Sequence, residues 1–317
     1  MKSEMEKTLV REEVLSTEII SSGRKTMTGY LVAVSLLAVA AVIYFIYPYI
    51  HLDVIQRTLS KDHHLFYWML LVGFLAEIVA GSMGMGYGVI CTTILLILNI
   101  PPPIISASIH SAESFTSAAG AISHFKLGNV NKKLVKALAI PAIIGAVIGA
   151  FALTYVGERY AKMTKPFIAT YTMYLGIKIL SNAFIKKPTG NRQGKKKKKT
   201  NITLLGLIGG FIDSFGGGGW GPLVTGTFIK NGRTPRYVIG SSTVAKFILT
   251  FASAVTFVFT VGIQHWNIVA GLLIGGIITA PFSAMLAARL PHRNMFIAVG
   301  IVVIIMSLIT VYRSIFL

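Results

Sequence analysis

The chain has 317 residues, 54% of them apolar and only 13% charged, with a mean hydropathy of +0.70. That balance excludes an ordinary soluble globular domain, and about eight or nine apolar stretches of transmembrane length predict an all-α polytopic membrane protein. The net charge of +19 would suit nucleic acid, but the lysines and arginines sit in short loops between apolar spans, where they set topology, so no nucleic-acid partner is expected.

Residues 1–28 are polar and read as a cytoplasmic tail. Residues 29–50 form an extra transmembrane helix, too long for a signal-peptide core and followed by no small-residue cleavage site. Residues 65–100 are then apolar for 36 positions, which as one helix would be about 54 Å long. A hydrocarbon core is about 30 Å thick. The glycines at 81–88 cut this tract in two, and those at 216–221 cut the tract at 202–229 in the same way, with Pro222 placed where a helix restarts. Each tract reads as a re-entrant broken helix, followed by three full spans: about 103–125, 134–156 and 166–185, then 236–261, 267–288 and 295–312.

A constant offset of 133 residues superimposes the two halves, pairing Gly84, Gly86 and Gly88 with Gly217, Gly219 and Gly221, Tyr87 with Trp220, Thr92 with Thr225, and Ser108 with Ser241. Residues 65–185 and 201–317 are therefore repeats joined by the basic linker 186–200, whose Lys195–Lys199 run is a solvated topogenic loop or a site for anionic lipid. With both tracts re-entering, loops 126–133, 186–200, 230–236 and 289–294 share one side and carry sixteen Lys and Arg, against five in the opposite loops. The positive-inside rule makes the first set cytoplasmic, the C-terminus external and the repeats inverted.

Inverted repeats with broken helices point to a transporter with its substrate near the midplane. Each glycine cluster precedes a half-helix N-terminus, whose N–H groups and dipole suit an anion, and glycine allows close backbone approach; the same glycines also serve tight helix packing. The candidate substrate-binding residues are Gly84, Gly86, Tyr87, Gly88, Gly217, Gly219, Trp220 and Gly221, with Ser108, Ser111, Ser241, Ser242, Thr243 and Lys246 on the helices that follow. Hydroxyls donate to an oxyanion, or satisfy their own helix backbone. Charge within a bilayer is costly, which makes Glu77, His110, Glu113 and Asp213 candidates for coupling or proton carriage. The offset equates Glu113 with Lys246, which form an ion pair across the repeats, or else Lys246 faces substrate while Glu113 carries a proton. Enzyme motifs are absent, the lone Cys91 has no metal-ligand neighbours, and neither cofactor nor metal is expected.

The chain resembles the sulfite exporter TauE/SafE family of membrane permeases. The resemblance rests on G-S-M-G-M-G-Y-G-V at 81–89, F-G-G-G-G-W-G-P-L at 215–223, S-I-H-S-A-E-S-F-T at 108–116 and H-F-K-L-G-N-V at 124–130, and covers residues 65–314. It implies secondary transport, generally outward, of sulfite, sulfonates such as sulfoacetate, or related small anions. A passive anion channel and a membrane receptor or scaffold are the rival readings.

Overall fold

The computed structural model describes residues 63–184, 200–262, 265–287 and 292–316. The expected tail, extra helix and lysine run lie outside them. The described residues are helical: α1 (His63–Met83), α2 (Tyr87–Ile97), α3 (Pro102–Lys126), α4 (Lys132–Arg159), α5 (Ala161–Asn182), α6 (Ile202–Gly216), a π-helical turn (Gly221–Thr225) running into α7 (Gly226–Lys230), α8 (Pro235–Thr260), α9 (Trp266–Ala287) and α10 (His292–Phe316).

Local chemistry sets these boundaries. Gly86, at φ 113°, caps α2 in a left-handed conformation, and Gly217, at φ 68°, ends α6 in another; side chains with a Cβ rarely adopt either. Asn131 Oδ1 accepts from the N–H groups of Lys133 and Leu134 to start α4, Asn201 Oδ1 accepts from Leu204 to start α6, and prolines open α3 and α8. Four helices among the described residues are long and apolar enough to cross a membrane: His64–Gly81, Lys132–Arg159, Pro235–Thr260 and Arg293–Phe316. The first belongs to α1, so this arm of the first broken tract reaches crossing length, whereas α2 and α6 have 11 and 15 residues.

The burial pattern is that of a lipid-facing protein. Ile140, Ile144, Ile148, Phe151 and Tyr155 form an exposed apolar stripe along α4, while His110, Glu113, Asp213 and Ser242 are buried. Helices approach closely through glycine: at Gly145 and Gly149 of α4, a Cβ would collide with the backbone of Leu207 and Phe211 on α6, and at Gly275 of α9 with that of Leu70 on α1. Thus the first arm of each glycine tract packs on the middle full helix of the other half.

Corresponding helices run antiparallel against each other. On α5 and α10, Thr172 hydrogen-bonds Ser307 at 2.9 Å, Gly176 abuts Val303 and Gly300 abuts Leu180. On α3 and α8, Gly120 abuts Thr243 and Ser117 meets Thr250 at 3.3 Å. One end of the bundle gathers the close of α3 and the start of α8, where Arg236 donates to Asn129 and to the Leu127 carbonyl and the Asn131 N–H donates to Ser241 Oγ at 2.8 Å. At this end Asn231 Nδ2 also donates to Thr200 Oγ1 at 2.8 Å, so the second glycine tract begins and finishes together. The opposite end holds Asn99, bonded by Lys165, and Gly157 against Pro103.

Candidate functional site

The two glycine breaks touch each other. A Cβ on Gly88 would stand 2.5 Å from the Gly217 carbonyl oxygen and 2.8 Å from Gly218 Cα, and one on Gly221 would collide with Met85, close to Gly84. These contacts are reciprocal under the 133-residue offset. Glycine here permits backbone to lie on backbone, which is the packing role of these residues realised at the place where a ligand role was expected. The first hydrogen bond of α2 runs from the Ile90 N–H to the Gly86 carbonyl at 2.9 Å, so the N–H groups of Tyr87, Gly88 and Val89 precede it.

The second break is pinned from several directions. Thr92 donates to the Gly217 carbonyl at 2.8 Å and Tyr171 of α5 to the Gly218 carbonyl at 2.9 Å. Asp213 Oδ1 accepts from the Trp220 N–H at 2.7 Å, so the restart of this half-helix, expected to present free N–H groups, already holds a carboxylate. The Trp220 indole donates to Ser242 Oγ at 2.9 Å, and that hydroxyl shares a proton with Thr225 at 2.6 Å. Tyr87, the counterpart of Trp220, donates instead to the Leu272 carbonyl at 3.2 Å.

The hydroxyl-bearing face divides in two. Ser111 donates to the Ala107 carbonyl and Thr243 to the Ile239 carbonyl, each satisfying its own helix. Ser106 and Ser253 reach instead to Ser214, at its carbonyl and its hydroxyl, each at 2.5 Å. Ser241 is held by Asn131, and Ser108 lines a cavity with Ser111. Gly84 and Gly86 adopt positive φ, and Gly219 lies against Ile212 and the Tyr171 hydroxyl.

Five ionisable groups converge beside these breaks from α1, α3, α6 and α8. Lys246 forms an ion pair with Glu113, their side chains 17% and 4% exposed. Glu77 lies within electrostatic reach of both. His110, packed edge-on against Phe257, places Nε2 3.7 Å from Asp213 Oδ2. Neither ring nitrogen of His110 has a hydrogen-bond partner, nor do Asp213 Oδ2 and Glu113 Oε2, although all are buried. Three carboxylates within electrostatic reach of one lysine leave acid in excess here. No group of three His, Cys, Asp or Glu able to hold a metal occurs among the described residues.

Asp213 therefore does two things, and substitution separates them. Asp213→Ala leaves the buried Trp220 N–H unpaired, at a cost of about 1–3 kcal/mol, whereas Asp213→Asn retains an acceptor and removes the charge facing His110. Thermal unfolding in detergent should show a clear loss for alanine and a much smaller one for asparagine. Equal losses would assign the importance of Asp213 to its charge.

Thr92, Tyr171, Thr225, Ser214 and Ser253 were missed by sequence reasoning. Thr92 and Thr225 carried a signal in being paired by the offset; the others carried none, because their partners are backbone carbonyls or each other.

A family model described as Sulfite exporter TauE/SafE matches residues 69–310. The chain is 35% identical over 240 residues to "Probable membrane transporter protein YtnM" of Bacillus subtilis (strain 168), covering 74% of this chain and 79% of that protein. It is 26% identical to the same organism's "Probable membrane transporter protein YdhB", over 70% and 91% of the two chains, and 26% identical to "Probable membrane transporter protein YjnA", over 74% and 96%. No solved structure matches.

Proposed function

Since the chain belongs to the sulfite exporter TauE/SafE family of membrane transporters, we propose that it is a secondary transporter, exporting a small sulfur-containing oxyanion such as sulfite or an organosulfonate. It is a multi-pass membrane protein and not an enzyme. The carrying observation is the Lys246–Glu113 ion pair, buried where the corresponding helices α3 and α8 cross, beside two abutting glycine breaks. A lysine at this depth offsets the desolvation of an oxyanion. To that position we assign Gly84–Gly88, Gly217–Gly221, Ser108, Ser111 and Ser241–Thr243 as candidate ligand-binding residues, and to Glu77, His110, Glu113 and Asp213 the carriage of a coupled proton. No nucleotide-binding motif occurs in the sequence, which favours an ion gradient as the driving force.

An inverted repeat of a re-entrant broken helix and three spans, placed in the cell membrane, completes this reading. The antiparallel packing of α3 on α8 and α5 on α10 supports it, because an axis in the membrane plane reverses the helices it relates. The Thr200–Asn231 bond supports re-entry of the second tract. The cytoplasmic assignment of loops 126–133, 186–200 and 230–236, with the N-terminus inside and the C-terminus outside, follows from their charge.

Proteoliposomes loaded with unlabelled sulfite or sulfoacetate should accelerate uptake of the labelled anion, whereas a channel using the same helix ends gives no such counterflow. In a Cys91→Ser background, Asn231→Cys should react with an impermeant thiol reagent from the cytoplasmic face alone; reaction from outside intact cells would sink the orientation.

A further inference from the structure

A polar layer joins α3, α6 and α8 beside the second glycine break. Ser106 of α3 donates to the Ser214 carbonyl and Ser253 of α8 meets the Ser214 hydroxyl, each at 2.5 Å. One residue earlier, Asp213 Oδ1 holds the Trp220 N–H, and the Trp220 indole holds Ser242, four residues before Lys246 on α8. His110 breaks this pattern of closed contacts. It lies one turn after Ser106, wholly buried, with neither ring nitrogen hydrogen-bonded and Nε2 3.7 Å from Asp213 Oδ2, which has no hydrogen-bond partner either. That separation is too long for a hydrogen bond, yet a movement of about 1 Å would bring it to the ~2.8 Å of a charge-assisted one. A neutral imidazole here leaves an N–H and a lone pair unsatisfied, whereas an imidazolium offers donors to the carboxylate oxygen that lacks one. The offset equates His110 with Thr243, which bonds its own helix, and Asp213 with Ala80, so the pair belongs to one half alone.

We propose that His110 binds the proton that accompanies the anion, and that proton uptake closes its ring on Asp213 Oδ2, tying the second glycine break to α3. The inference rests on the transport reading above and deepens it by naming one proton-binding group and its link to Lys246. The proton passes from water to a ring nitrogen, and no other covalent bond forms or breaks. The other charged and titratable groups around the pair are Lys246 of α8, Glu113 of α3 itself, Glu77 of α1, Tyr87 and Cys91 of α2 and Tyr171 of α5. Those of α4 are exposed, and α9 carries none. His110 and Asp213 both lie within electrostatic reach of Lys246. A proton on His110 offsets the Asp213 charge there, so an anion at Lys246 is held more tightly with the proton than without it. By reciprocity, anion binding draws a proton onto His110.

The test uses the full chain in detergent with sulfoacetate as probe, because its sulfonate and carboxylate both stay ionised between about pH 6 and 8. Lowering the pH across that range should tighten binding about five- to tenfold, the lower end of typical coupling between sites. His110→Gln and Asp213→Asn should each lose most of that gain. A second readout needs no anion. Trp68→Phe with Trp266→Phe leaves Trp220 as the lone tryptophan, and its emission should titrate with pH. His110→Gln and Asp213→Asn should abolish that titration, and Glu113→Gln should preserve it. Asp213→Asn keeps an acceptor for the Trp220 N–H, so it decides the matter if His110→Gln fails to fold. An unchanged titration in His110→Gln or Asp213→Asn, its loss in Glu113→Gln, or a flat profile in the wild type would each overturn the inference. The expected Trp220 titration without sulfoacetate binding or counterflow would refute the transport reading alone. Sulfoacetate binding with counterflow, but with affinity and Trp220 emission both indifferent to pH, would refute the proton site alone.

Discussion

Replacing Gly88 with alanine is expected to destabilise the protein more than alanine at any other helical position in the two glycine tracts that lacks such a contact. A single Cβ at Gly88 meets the Gly217 carbonyl oxygen at 2.5 Å and Gly218 Cα at 2.8 Å. Both obstacles are backbone, so no rotamer change relieves them, and the two breaks must separate. Overpacking typically costs about 1–3 kcal/mol where side chains can adjust; here the upper part of that range or beyond is expected. Gly226→Ala is the control. It sits on the same hairpin as Gly217 and its nearest neighbour is 3.7 Å away, so alanine there should be neutral or stabilising by up to about 1 kcal/mol. Thermal midpoints in detergent and anion binding, measured on both variants, separate the two uses of glycine. If Gly88 chiefly bares N–H groups to the ligand, Gly88→Ala loses binding with an unchanged midpoint. A lowered midpoint places its role in the contact between the breaks.

This contact marks the limit of what the sequence discloses. Tract length, glycine clustering and loop charge revealed the breaks, since a 36-residue apolar run cannot lie straight across a bilayer. The expected full spans all fall on observed helices whose bounds differ by a few residues, but among the described residues only those at 134–156, 236–261 and 295–312 fall on helices long and apolar enough to cross a membrane. Glu113 and Lys246 were legible as partners because duplication places them at one offset, 133 residues apart. Tyr171 was invisible because it recognises the Gly218 carbonyl, and any residue type offers a carbonyl. Asp213 was legible as a buried acid but its use was not. A carboxylate seven residues before a half-helix restart can cap it only if the intervening glycines turn the chain back, and that geometry leaves no mark in residue type.

The second large effect concerns Glu113 and Lys246. Lys246→Met should strip the charge that balances Glu113 and leave Glu77 and Asp213 within reach of an unneutralised acid. Glu113→Gln should leave a cation whose side chain is only 17% exposed. Removing one member of a buried pair typically costs about 3–5 kcal/mol, and replacing both is often much milder. The double variant should therefore be more stable than the sum of the single losses requires, with a coupling of about 0.5–3 kcal/mol. The same four proteins report on function when binding of sulfite and sulfoacetate is measured. If Glu113 is only the structural counter-ion, coupling appears in stability and not in affinity. If the oxyanion displaces Glu113 from Lys246, Glu113→Gln should bind more tightly, because its competitor for the lysine is gone, and every Lys246→Met protein should bind weakly whatever occupies position 113. Anion uptake by the wild type should then carry a proton to the displaced carboxylate, a dependence that Glu113→Gln removes. Tight binding by Lys246→Met would take the lysine out of the site and move the search to the α2 N-terminus, where the N–H groups of Tyr87, Gly88 and Val89 remain.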